Sequence, residues 1–246
     1  MEISATYYGA NTWLFNYGEL RVLIDPWLEG NLVFPPGDWL IKGRITRELP
    51  KPTDIGLILL TQGLADHTHI ETLKNLDLNI PIIGSKTACS ITKNLGFKTI
   101  KSLSPGEITY FGGLEIRATK GAYVPNIENG YILKSSEISL YIEPHGYMDK
   151  SLCDENADIV ISPIVNLNLP IVGSFIRGKS VIGELIDRLN PRLVLASTVG
   201  GDIEFSGVLG KLINQEGNIE EIESEYKSKC RFINPVPGKP IILKHN

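Results

Sequence analysis

The chain is poor in the residues that most often announce a chemistry. Only four of its 246 residues are histidine and three are cysteine. Cys89, Cys153 and Cys230 are far apart, form no CxxC pair and have no base beside them in sequence. That argues against a disulfide framework and fits a reducing compartment. We read all three as buried or half-buried thiols. No apolar run approaches the roughly 20 residues that cross a bilayer. The opening residues, MEISATYYGANTWLF, carry no basic segment followed by an apolar one. We therefore expect no transmembrane segment, no signal peptide and a cytoplasmic location. A formal net charge of −4 and the lack of a basic run give no electrostatic case for nucleic acid. What is present is ordinary for a globular protein, with 42% hydrophobic and 21% charged residues. The length suits one large domain or two small ones.

Short apolar and aromatic runs at 3–8, 12–17 and 20–24, broken by Gly9 and Gly18, predict strands. Gly18 is placed to take positive φ in a hairpin turn, and Pro26 stops the third strand. Residues 28–54 predict a long connection holding Leu32, Val33, Phe34, Trp39, Leu40 and Ile41. It is either a lid or binding loop, or a loop packed on itself. A strand at 55–60 leads to a helical stretch at 69–76. A second pair follows, with a strand at 81–83 and a helix at 86–95 capped by Ser85 and ended by Gly96. Strands are predicted again at 107–110, 114–119, 130–133 and 138–143, then a strand at 159–162, a helix at 181–189, a strand at 193–196 and a helix at 205–214. A β-meander followed by β–α units therefore occurs twice. That order predicts an α/β (α+β) protein, one domain over 1–246 built of two similar halves, arranged as a four-layer αββα sandwich.

The candidate chemistry lies at strand ends. His67 and His69 follow the strand at 55–60, and His145 follows the strand at 138–142. Loops after buried strands are where α/β proteins place their sites. Asp66 stands beside His67, and Glu143 two residues before His145. Such carboxylates and imidazoles suit zinc, iron or manganese. Asp66 and His145 could equally serve as a helix cap and as a partner for buried backbone. His69 is an alternative ligand, a supporting partner, a solvent-facing residue or a local cap, and Asp25 either supports the site or forms its Asp-Pro turn. His245 is expected in solvent.

These segments resemble the metallo-β-lactamase superfamily, in its L-ascorbate-6-phosphate lactonase-like branch of metal-dependent hydrolases. "YYGANTWLF…LRVLIDPWL" resembles the branch's opening, and "DIGLILLTQGLADH" its hallmark T-H-x-H-x-D-H. "ENGYIL…ISLYIEPHG" resembles the approach to its G-D-T-G, and "ADIVISPIV" and "LNPRLVLAST" its last two strands. The resemblance implies two metals in members with the full motif. Here the motif is degenerate. Gln62 and Leu64 stand where the first two histidines fall, Ala10 follows the opening glycine, and Tyr123 lies near the later loop histidine. Leucine cannot ligate, and an amide carbonyl is a poor zinc ligand.

The other half keeps ligand-capable residues: Asp66, His67, His145 at the bridging position, and Glu143. Thr198 takes the place of the last histidine, with Asp202 four residues on. The resemblance implies a rebuilt, mononuclear centre with an open position. Asp66 is its expected catalytic residue, orienting or deprotonating a water. Asp25, Gln62, His69, Tyr123, Thr198 and Asp202 would support it or line its pocket. One divalent metal (Zn, Mn or Fe) is expected, or none. The expected function is hydrolysis of an ester, lactone or phosphoester in a small molecule, with hydrophobic character suggested by "NLVFPPGDWLI" and "NLNLPIVGSFI". The alternative is a catalytically inactive member of the fold, a pseudoenzyme that binds a small ligand or a protein partner.

Overall fold

The computed structural model describes residues 2–123, 127–152, 155–170, 173–197 and 201–244. The chain divides into two compact units. Unit 1 is Met1–Leu103, Gly200–Lys211 and Pro235–Asn246; unit 2 is Ser104–Val199 and Leu212–Asn234.

Unit 1 begins as a meander of β1 (Ile3–Gly9), β2 (Thr12–Tyr17) and β3 (Leu20–Ile24), antiparallel neighbours in that order. Gly18 takes φ +60 in the β2–β3 turn, a conformation that glycine adopts without a Cβ penalty. β4 (Asn31–Val33) and β5 (Lys42–Ile45) form a hairpin within the connection predicted as loop, and strand Ile203–Ser206 adds to β5. β6 (Leu57–Leu60), β7 (Ile82–Gly84) and β8 (Ile100–Ser102) continue the main sheet in parallel. Strand Pro240–Lys244 pairs antiparallel with β1, so the sheet has seven strands, with β1, β2, β3, β6, β7 and β8 following in that order.

Helices α1 (Ile70–Lys74) and α2 (Lys86–Leu95) lie between the parallel strands in sequence. Their Leu73, Ala88 and Cys89 pack with Leu14, Leu23, Ile58, Leu60 and Ile82. Ser85 caps α2 by accepting from the Ala88 amide, and Gly96 ends it at φ +95. All four residues of β6, Leu57-Ile58-Leu59-Leu60, are buried, which fits a parallel central strand.

Unit 2 repeats the plan. β9 (Ile108–Phe111), β10 (Leu114–Tyr123), β11 (Ile127–Lys134) and β12 (Ser139–Ile142) run antiparallel; β13 (Ile159–Pro163) then joins in parallel. β14 (Asn166–Leu169) and β15 (Gly173–Arg177) make a separate hairpin, extended by strand Asn214–Glu216. After α3 (Gly178–Leu189) comes β16 (Leu193–Ser197), and after α4 (Ile219–Tyr226) comes strand Arg231–Ile233; both are parallel to β13 in a seven-stranded sheet. Ile182, Leu185, Ile186 and Leu189 of α3 pack with Ile132, Tyr141, Val160 and Val194.

Two further expectations change. The helix predicted at 205–214 is absent: its start is strand Ile203–Ser206, and the helix of this region is α4. "NLNLPIVGSFI" is a hairpin rather than a bare connection, with 171–172 outside the described residues.

Candidate functional site

The unit 1 site is built on the turn between β1 and β2 and on the ends of β3 and β6. Asp25, just past β3, sits at φ +44, a left-handed conformation that Asp tolerates better than most residues. Its carboxylate is buried. Oδ1 accepts from the Thr61 amide at 2.8 Å and Oδ2 accepts from Thr61 Oγ1 at 2.5 Å, which pins it to the end of β6. Oδ2 also accepts from Nδ1 of His67 at 2.7 Å.

His67 is fully buried, and the backbone around it is a tight turn. The amides of His67 and Thr68 both donate to the carbonyl of Leu64, and Thr68 Oγ1 donates to the carbonyl of Gln62. On the far side of the ring, Nε2 lies 3.2 Å from Oδ2 of Asp66. Asn11 donates from Nδ2 to the same Asp66 oxygen at 3.2 Å, and that nitrogen is also 3.2 Å from His67 Nε2. The Asp66 side chain is 21% exposed, so it forms the solvent-facing edge of this cluster.

Burial disfavours a charge on His67, but the carboxylates of Asp66 and Asp25, one at each ring nitrogen, more than reverse this. They push its pKa from 6.5 up to about 10. Two carboxylates around one buried ring call for a balancing positive charge, either a proton on His67 or a bound cation.

The remaining predicted residues have defined places. Gln62 is buried in the 61–69 loop. His69 is buried rather than facing solvent, and it caps α1. Its Nδ1 accepts from the Thr72 amide at 3.3 Å and its Nε2 donates to the Asn31 carbonyl at 3.2 Å, with the Trp27 ring 6.0 Å away. Burial lowers its pKa. Asp202 pairs with Arg47 at 2.7 Å near the surface. Thr198, Cys153 and His245 lie outside the described residues.

In unit 2, Glu143 and His145 are together in the loop after β12. Glu143 Oε2 accepts the amides of His145 at 3.1 Å and Tyr147 at 2.6 Å, so this carboxylate shapes its own loop. His145 is buried, and its carbonyl accepts from the Arg177 amide at 2.9 Å. Gly146, at φ +71, and Gly178 meet backbone to backbone there. Tyr123 ends β10 with 75% of its surface exposed.

Asp66 and His67 are the ligand-capable pair of the unit 1 site. Asp25 orients His67 through Nδ1 in the way carboxylates support metal-binding imidazoles. Nε2 and Asp66 converge on the opposite side. Gln62 and Leu64 offer no comparable second set. Among the described residues no group of three or more His, Cys, Asp or Glu side chains converges as a ligand set. Asn11 was not anticipated from sequence. Its one signal is its place beside the Gly9-Ala10 turn, in the segment that resembles the family's opening motif.

Two mixed seven-stranded sheets, each a meander continued by β–α units, together with an Asp-His loop at a strand end, define an α/β protein of the metallo-β-lactamase type. The beta-lactamase superfamily domain matches residues 4–197, and the chain belongs to that superfamily. No curated protein matches the chain. Among solved structures it is similar to a possible metal-dependent hydrolase from Veillonella parvula, at 17% identity and TM-score 0.77, covering 99% of this chain and 100% of that one. It is similar to isothiocyanate hydrolase from Delia radicum gut bacteria at 17% identity and TM-score 0.70, covering 98% of each chain. It is also similar to a diiron β-hydroxylase from Streptomyces venezuelae at 15% identity and TM-score 0.66, covering 98% of this chain and 54% of that one. A hydrolase and a β-hydroxylase thus share the fold, and the reaction must be argued from the site. No helix among the described residues is long and apolar enough to cross a membrane.

Proposed function

We propose that the protein is a metal-dependent hydrolase with a mononuclear centre on Asp66 and His67. One observation carries this reading: Asp25 takes Nδ1 of the fully buried His67 and turns Nε2 onto Asp66. The arrangement keeps a proton on Nδ1, so that a cation replacing the Nε2 proton would meet the Nε2 lone pair beside Asp66. His67 and Asp66 would hold a divalent cation (Zn, Mn or Fe), which would supply an acidified water and Lewis-acid polarisation of a carbonyl or phosphoryl oxygen. Thr61 holds Asp25 from two atoms, and Asp25 holds His67. Asp66, at the solvent-facing edge, is placed to orient a water or accept its proton.

The reaction class is hydrolysis of an ester, lactone or phosphoester. Within the superfamily the motif order supports the lactonase-like branch. The apolar segments "NLVFPPGDWLI" and "NLNLPIVGSFI" support a small substrate with apolar character.

The second reading, a fold member that binds a ligand without catalysis, is favoured by the buried Gln62 and by Leu64 where the superfamily motif has histidines. Elemental analysis separates the two. Protein purified without chelator should carry about one equivalent of metal, lost in His67→Ala. No metal after reconstitution would overturn the hydrolase reading. A panel of esters, lactones and phosphodiesters then tests turnover.

A further inference from the structure

We propose that Asn11 is the third donor of the Asp66–His67 centre, an amide ligand that closes the cation face. The inference rests on the mononuclear reading above and extends it to a residue outside the superfamily motif.

Three atoms form a nearly equilateral triangle: His67 Nε2, Asp66 Oδ2 and the Asn11 amide nitrogen, each 3.2 Å from the other two. Donors bound to one first-row cation at about 2.1 Å lie about 3.0 to 3.4 Å apart, from octahedral to tetrahedral angles. The triangle has that size. Asp25 cannot supply the third corner, because it occupies the opposite ring nitrogen. The ligand class of a centre needing three protein groups is therefore completed by the amide.

Asn11 is held for this task. It is 4% exposed and follows Ala10, whose φ is +46 and whose carbonyl accepts from the buried Tyr7 hydroxyl at 3.0 Å. The tight turn between β1 and β2 thus aims a short side chain at the end of β6. In the arrangement seen, the amide donates to Asp66. A half-turn about the terminal side-chain bond exchanges Nδ2 for Oδ1 at nearly the same place, so one residue serves as hydrogen-bond donor without the ion and as oxygen ligand with it. The resulting set is one nitrogen and two oxygens. Carboxylate and carbonyl donors suit manganese better than a histidine-rich set does, so the cation class favoured is an oxygen-preferring divalent ion such as Mn(II).

The test is Mn(II) titration of the full chain, followed by the loss of the free-ion electron paramagnetic resonance signal, with thermal melts as folding controls. Asn11→Leu keeps the size and removes the oxygen; Asn11→Asp supplies a charged oxygen at the same corner. We expect Asn11→Leu to weaken Mn(II) binding by at least about tenfold and Asn11→Asp to tighten it. Wild-type binding left unchanged by both variants would overturn the role of Asn11 while the mononuclear reading stands. Binding only in Asn11→Asp would overturn both the Asn11 role and the mononuclear reading for the natural chain. Binding in none of the three would overturn both. If Asn11→Leu does not fold, the direction of the Asn11→Asp change decides.

Discussion

The Asp25 carboxylate and the His67 imidazole face each other at 2.7 Å with both side chains buried, and the same oxygen is held by Thr61. A buried, charge-assisted bond of this kind is costly to break from one side. Asparagine at position 25 tolerates the left-handed backbone there and removes only the charge. Asp25→Asn should therefore destabilise the protein by about 1.5–3 kcal/mol and weaken metal binding by about 10- to 100-fold. Urea denaturation and metal titration of the same preparation measure both. Wild-type values in each would show that the pair neither stabilises nor orients.

His69 acts as a cap through its unprotonated Nδ1. Its pKa is lowered by burial, so the unfolded chain takes up the proton first. The stability it contributes is present above the unfolded value of about 6.5 and is lost as pH falls below it. His69→Ala should cost about 1 kcal/mol at pH 7.5, and the difference from wild type should shrink at pH 5.5. Denaturant midpoints at the two pH values provide the check.

Burial pushes the thiols of Cys89 and Cys230 up to about 11. The sign is toward the unreactive form, so at pH 8 about one thiol in a thousand is thiolate. In a Cys153→Ser variant, whose remaining thiols are these two, labelling by Ellman's reagent at pH 8 should be slow in the native state and rapid in urea. Fast native labelling would contradict the burial.

Gly178, where α3 begins, has no room for a side chain: a Cβ would overlap the Pro163 carbonyl and crowd the Ile164 amide. Gly178→Ala should destabilise by about 2–3 kcal/mol, read as a fall in the thermal midpoint. An unchanged midpoint would mean that the chain relaxes there without strain.

Elements governed by neighbours in sequence were legible. Helix α2 has its predicted bounds because Ser85 caps one end and Gly96 the other. The β2–β3 hairpin turns at Gly18 as expected. Residues 205–214 misled because their apolar spacing is helical, whereas Phe205 and Ser206 pair with Gly43 and Lys42 of β5, far away in sequence. Gly207 also takes φ +91 against the backbone of Leu40. The hairpin of β4 and β5 is bound to the same distant strand and was read as loop for the same reason. At the site, Asp66 and His67 could be picked out because they adjoin and end a strand. Asn11 reaches them across 55 and 56 residues, a proximity that only the paired sheet creates.

Strand Pro240–Lys244 lies along β1, matching Ile3 with Lys244. A ribosome makes β1 well before it makes this neighbour, about 240 residues further along the chain. Until then one border of the unit 1 sheet stands bare, with buried-type residues such as Ile3, Ala5 and Tyr7 beside it. Open borders of this kind recruit strands from other molecules. Emergence of strand Pro240–Lys244, rather than synthesis of the site residues, is therefore the event that seals unit 1. A chain interrupted after residue 234 should be sticky rather than merely shorter.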